Sequence, residues 1–207
     1  SNTPFESPYG VAAGGENQIL VADTGNKRIA TIAVPAAGTE ILYLSLARGG
    51  TADGIPFADE DILHYHSEDN SWYHFLNGSA LGLQYVDIDA FSVQEDGAVL
   101  LSIDRRLYLT DVGWVGGEDI LQYADSRLTL FLDGSTVGLS GASENVDAIA
   151  FSPDGRLLVS SSGNSNTPRT GGGRLFTADE DLIVFNPLSG PRGKGSWELF
   201  LDGSDIF

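Results

Sequence analysis

Apolar positions along this chain fall in short runs of strand length, each closed by Gly, Asp, Asn or Ser. No stretch sustains the period of about 3.6 residues that marks an amphipathic helix, so helices are expected to be scarce. The runs recur in a fixed order. Ile88-Asp89-Ala90-Phe91 returns 58 positions later as Val146-Asp147-Ala148-Ile149. At the same offset, Glu95-Asp96-Gly97 before Val99-Leu100-Leu101-Ser102 returns as Pro153-Asp154-Gly155 before Leu157-Leu158-Val159-Ser160. Glu60-Asp61-Ile62-Leu63-His64-Tyr65 returns as Glu118-Asp119-Ile120-Leu121-Gln122-Tyr123 and again as Glu180-Asp181-Leu182-Ile183-Val184-Phe185. Phe75-Leu76-Asn77-Gly78-Ser79 matches Phe131-Leu132-Asp133-Gly134-Ser135 and Phe200-Leu201-Asp202-Gly203-Ser204.

Each unit reads as four strands in two pairs, the first pair joined by a turn with Asp-Gly, a strong short-range hairpin signal. The units run over about 29–87, 88–145 and 146–207, behind a half unit at 9–28, within one domain of 1–207. Residues 29–45 serve as the first strand pair of unit one, since Ile32-Ala33-Val34-Pro35 mirrors Ala150-Phe151-Ser152-Pro153. The expected fold is all-β, with β-propeller-like tandem blades of four antiparallel strands. A β-sandwich is the alternative, and a parallel β-helix, with much shorter rungs, comes third. Three and a half blades leave the ring open. A second copy completing it by self-association, a longer chain, or irregular closure would satisfy the free edges.

Pro8-Tyr9-Gly10-Val11-Ala12, followed by Ile19-Leu20-Val21-Ala22-Asp23-Thr24-Gly25-Asn26-Lys27-Arg28-Ile29, resembles the NHL repeat of β-propeller proteins. The later units depart from that pattern and look like repeats of uncharacterised bacterial secreted proteins. The resemblance implies a propeller, a class that includes binding scaffolds, lyases and gluconolactonase-like enzymes holding a divalent metal in a central channel. It carries over no catalytic residue. The function expected is a secreted or cell-surface binding or interaction module. The alternative is a metal-dependent hydrolase or lyase of the gluconolactonase-like type.

Composition narrows the partners. The 207 residues hold 29 Asp and Glu against 11 Lys and Arg, a net charge of −18, which would repel a nucleic acid. No Cys is present, which removes disulfides, thiolate metal sites and cysteine nucleophiles. No apolar run approaches the roughly 20 residues of a membrane-spanning helix. Ser1-Asn2-Thr3-Pro4 has neither the basic start nor the apolar stretch of a signal peptide. Low Lys, abundant Asp and no Cys suit an extracellular or periplasmic protein whose export signal is outside this sequence. A protein or carbohydrate ligand is the expected partner.

Candidate chemistry lies first in the recurring carboxylates. Asp61, Asp119 and Asp181, with Asp89 and Asp147, would fall at matched positions of successive blades and gather oxygen ligands for calcium. The competing reading is that each caps a turn, because structural residues repeat whereas functional sites break symmetry. His64, His66 and His74 do break it. A hairpin of 62–66 and 72–76 around Glu68-Asp69-Asn70 would set His64 opposite His74, with His66 on the same face, a candidate zinc site. No Gly-x-Ser-x-Gly elbow occurs. Gly171-Gly172-Gly173, in a polar stretch from Ser160, reads as a mobile loop. Trp72 and Trp197 precede Phe-Leu strands and read as packing. Trp114, beside Asp111-Val112-Gly113, is the aromatic placed to face a ligand such as a sugar ring.

Overall fold

The computed structural model describes the backbone of residues 8–13, 18–23 and 28–33, and residues 41–141, 143–188 and 194–205 with their side chains. The chain divides into two compact units, 1–40 and 41–207. In the first, β1 (Pro8–Ala13), β2 (Gln18–Asp23) and β3 (Arg28–Ala33) form an antiparallel meander. Val11 stands opposite Val21, and Val21 opposite Ala30. This corrects one expectation: residues 28–33 pair with β2 rather than opening the sheet of unit one. A short connection carrying Gly25-Asn26 makes the sequential neighbour the easier partner.

The second unit is a tandem series of antiparallel sheets. Its first sheet has the order β4-β7-β8, from β4 (Ile41–Ser45), β7 (Ile62–His66) and β8 (Ser71–Leu76). The second is four-stranded, joining β9 (Ile88–Val93), β10 (Val99–Ile103), β13 (Ile120–Ala124) and β14 (Arg127–Leu132) as an up-and-down meander. The third repeats that plan with β15 (Val146–Phe151), β16 (Leu157–Ser161), β19 (Leu182–Pro187) and β20 (Gly195–Leu201). The all-β, propeller-like tandem of antiparallel sheets expected from the repeats is therefore what the chain builds, with four strands in the second and third sheets and three in the first. Among the described residues the only helical segments are three short 3-10 turns.

Local sequence explains these sheets. Val99 to Ile103 is an unbroken apolar run apart from Ser102, and all five residues are buried, as a central strand covered on both faces requires. Gly97 and Gly155 take φ of 84° and 80° in the predicted Asp-Gly turns, a conformation costly for residues with a Cβ. Two apolar cores fill the spaces between neighbouring sheets. Ile62, Leu76, Leu83 and Val86 of the first pack with Val99, Leu101, Leu121 and Leu128 of the second. Ala90, Leu100, Ile120 and Leu132 of the second pack with Ile149, Val159, Ile183, Phe185 and Trp197 of the third.

Before the penultimate long strand of each of these three sheets the chain inserts a two-stranded hairpin that the four-strand reading missed. These are β5 (Gly50–Ala52) with β6 (Ile55–Phe57), β11 (Leu107–Leu109) with β12 (Gly113–Val115), and β17 (Ser165–Pro168) with β18 (Arg174–Thr177). The stretch read as a mobile loop around Gly171-Gly172-Gly173 is the turn of the third hairpin. All three glycines have positive φ there, and Asn166 pairs with Phe176.

Candidate functional site

The recurring acid is a latch inside each sheet. Asp119 Oδ2 accepts the Gly116 amide at 2.8 Å and its Oδ1 accepts the Gly134 amide at 2.9 Å. Asp61 accepts from Ala58 and Gly78, and Asp181 from Ala178 and Gly203, at 2.9–3.0 Å. All three carboxylates are buried. Glycine is required at 78, 134 and 203, because a Cβ there would collide with the carbonyl of Glu60, Glu118 or Glu180. The Glu-Asp and Asp-Gly-Ser motifs therefore recur together as two halves of one contact. Burial pushes the Asp119 carboxyl up, against the pull of its two amide donors.

The remaining candidates separate. Asp89 accepts from Asn145 Nδ2, and Asp147 from Ser160 Oγ. Burial raises Asp89, whose acidic neighbours are Asp104 and Asp147. Burial also raises Asp87, reinforced by Asp89, Asp104 and Asp59. On β7, His64 and His66 share a face, with ring nitrogens 3.3 Å apart. Burial lowers His64, with His66 adding to the effect. His74, however, stands across from Leu63, while Tyr73 takes the place opposite His64. The expected register is off by one residue, because the connection has four residues, 67–70, and pairs His66 with Ser71. His74 binds the Pro56 carbonyl at 2.8 Å and lies 3.8 Å from Asp61. Among the described residues no three His, Asp or Glu group together to hold a metal ion.

The second blade instead carries a cleft of about 480 Å³. Its wall is the β11–β12 hairpin, which is two-faced: Leu109 and Val115 point into the core, and Tyr108 and Trp114 point out. Tyr108 and Trp114 are cross-strand partners with ring centroids 5.4 Å apart, nearly edge to face. The Arg106 guanidinium sits 4.5 Å from the Trp114 ring centroid. The corner leading to the hairpin is fixed by Asp104, which accepts Arg105 Nε at 2.6 Å and the Asp87 amide at 2.8 Å. Burial alone would raise Asp104, but these partners hold it below its usual range. Glu118, Asp133, Ser135 and Asn145 complete the lining. Asn145 is also wedged against Gly117, where a Cβ would strike its side chain.

Trp114, expected in a loop as the aromatic facing a ligand, stands on β12, exposed and lining the cleft. Tyr108, Arg106, Asp104 and Asn145 were missed. One signal for them existed: Leu107-Tyr108-Leu109 and Gly113-Trp114-Val115 alternate in period two across a short turn, marking an extra hairpin. Nothing local marks Asn145, which arrives from the segment before β15.

No protein-family model matches the sequence, and no curated protein matches it. Among solved structures, the extracellular domain of BT4673 from B. thetaiotaomicron is 13% identical at a TM-score of 0.38, covering 94% of this chain and 29% of that one. YCF48, solved bound to D1 peptide, is 11% identical at a TM-score of 0.34, covering 95% and 65%. A protein of unknown function from Bacteroides caccae is 15% identical at a TM-score of 0.28, covering 95% and 73%. The chain thus spans less than a third of the BT4673 domain it matches.

Proposed function

We propose that this chain is a secreted or cell-surface binding module that takes a neutral saccharide unit in the cleft of its second blade. The observation that carries the reading is the exposed Trp114 ring, braced nearly edge to face by Tyr108, on a cleft with a polar lining. An indole face packs against the C–H face of a sugar ring, while carboxylates such as Glu118 and Asp133 accept two hydroxyl donors each. The cleft lies within the usual 300–1,000 Å³ of small-molecule sites. The polar lining suits a ligand rich in hydroxyls better than an apolar one. Residues 8–29, with their NHL-like pattern, fit the same class of module.

The test is saturable binding of the full chain to a panel of soluble neutral oligosaccharides, read by calorimetry. At least one should bind, and Trp114→Ala should weaken it at least about tenfold without lowering the melting temperature. A panel in which nothing binds, or binding indifferent to Trp114→Ala, overturns the saccharide reading.

A further inference from the structure

We propose that His64 and His66, side by side on β7, form a chelating pair for a borderline divalent transition-metal ion such as zinc or copper(II), with the remaining coordination positions left to water. The pair stands in the first sheet and needs nothing from the cleft of the second. Side chains two apart on a strand point to the same face. The face here is the one that carries Ile62, which is buried in the core between the first and second sheets. His64 and His66 follow Ile62 along β7 and are half-buried, so they lie where that core meets solvent.

The distance between them carries the inference. Nδ1 of His64 and Nε2 of His66 lie 3.3 Å apart. Two nitrogens bound to one tetrahedral ion at about 2.0–2.1 Å are held about 3.3–3.4 Å from each other. The same separation is long for an N–H hydrogen bond, which spans about 2.7–3.2 Å to an oxygen acceptor. An ion needs both facing nitrogens unprotonated, and a neutral imidazole can carry its one proton on the far nitrogen instead. The rings are inclined at 74° with centroids 4.5 Å apart, so they meet edge-on rather than stack. Imidazole suits zinc, copper(II) and nickel(II), whereas calcium and magnesium seek oxygen.

Neighbouring rings fix the pair. His64 is flanked by Tyr43 on β4 and Tyr73 on β8, its partners in the ladder. Between ring centroids, Tyr73 stands 5.5 Å from His64 and 5.1 Å from His66, and Phe75 stands 5.6 Å from His64. Packed rings restrict the rotamers, as a metal site needs to keep its ligands in place. The other two sheets do not repeat this row. Where the first has Tyr43, His64 and Tyr73, the second has Leu100, Gln122 and Thr129, and the third has Leu158, Val184 and Glu198. The position of His66 is Ala124 in the second and Asn186 in the third. Residues that serve the framework recur with it, as Asp61, Asp119 and Asp181 do; this row does not. His74 is on the other side of the hairpin, bound to the Pro56 carbonyl, and takes no part. Structural zinc fills all four positions with protein ligands. Two histidines leave half of a tetrahedral shell open, so the ion exchanges with the medium.

The test titrates zinc chloride into the full chain by calorimetry at about pH 7.5, above the ordinary imidazole range. Excess magnesium is present to occupy the carboxylates of this acidic chain, which would otherwise compete for zinc. The wild type should bind one zinc ion per chain. His64→Gln and His66→Gln should each weaken that binding at least about tenfold, no less than the loss of an outer-shell partner costs. His74→Gln should leave it unchanged. Circular dichroism of each variant checks that it folds. Copper(II) should bind more tightly than zinc, and the electron paramagnetic resonance spectrum of the wild type with one equivalent should show two imidazole nitrogens, a readout independent of any variant. Binding that persists in both His64→Gln and His66→Gln, an equal loss in His74→Gln, or a copper spectrum with fewer than two nitrogens overturns the proposal. So does a wild type that takes up no zinc, in which case the 3.3 Å contact is a hydrogen bond between the rings.

Discussion

At the scale of single residues, three buried acids hold backbone amides across each sheet. Asp119 accepts the Gly116 and Gly134 amides in a buried setting. Asp119→Ala would strand both donors, and we expect a loss of about 2–4 kcal/mol in urea unfolding. Asp133→Ala, removing an exposed turn cap to the Thr136 amide, should cost under about 1 kcal/mol. Equal losses in the two variants would dismiss the latch. The same burial gives a pH dependence. Asp87, Asp89 and Asp119 all have carboxyls raised above their usual range. Between the unfolded value and the higher folded one, the native state binds more protons than the unfolded state, so stability falls as pH rises. Asp104 and Asp154, whose carboxyls are lowered, and His64, lowered by burial, work in the opposite direction. Removing the raised pair with Asp87→Asn and Asp89→Asn should therefore shift the melting temperature's pH response toward loss on acidification, and an unchanged response would contradict the assignment.

At the scale of elements, the strands were legible and their partners less so. The long strands of the second and third sheets begin where the repeats place them, because period and turn residues are written locally. Leu121, in the recurring Glu-Asp-Ile-Leu motif, is 1% exposed between the first two sheets. Leu121→Ala should cost about 2–5 kcal/mol in the same unfolding measurement, and a loss near zero would move that strand to the surface. What was not legible depended on register or on distant contact. The three histidines looked convergent, but the four-residue connection sets a register that puts His74 on the other side of the hairpin from His64. The Glu-Asp and Asp-Gly-Ser motifs were visible as repeats, yet nothing in one dimension shows that Asp119 reaches Gly134. Trp114 was found because it lacks a counterpart in the other units. Asn145 was not, because it reaches the cleft only through the turn into β15.

At the scale of the whole molecule, charge dominates. A net charge of −18 on 207 residues places many carboxylates within a Debye length of one another, about 10 Å at 0.1 M salt. Raising sodium chloride from about 0.02 to 0.5 M should lift the melting temperature by about 2–4 °C, roughly 1 kcal/mol for a chain of this size. A flat or falling response would mean that the acids are spaced widely enough to ignore each other. The inserted hairpins add something of a different kind. Each leaves its sheet at the end of one long strand and re-enters at the start of the next. The excursions span residues 46–61, 104–119 and 162–181, so the third is longer while the flanking strands keep their pairing. The length of an excursion is thereby uncoupled from the strand pairing beneath it, while its inward residues, such as Leu109, Val115 and Leu175, stay bound to the core. The fold behaves as a chassis whose cassettes can change in length and in outward face but keep the residues that anchor them.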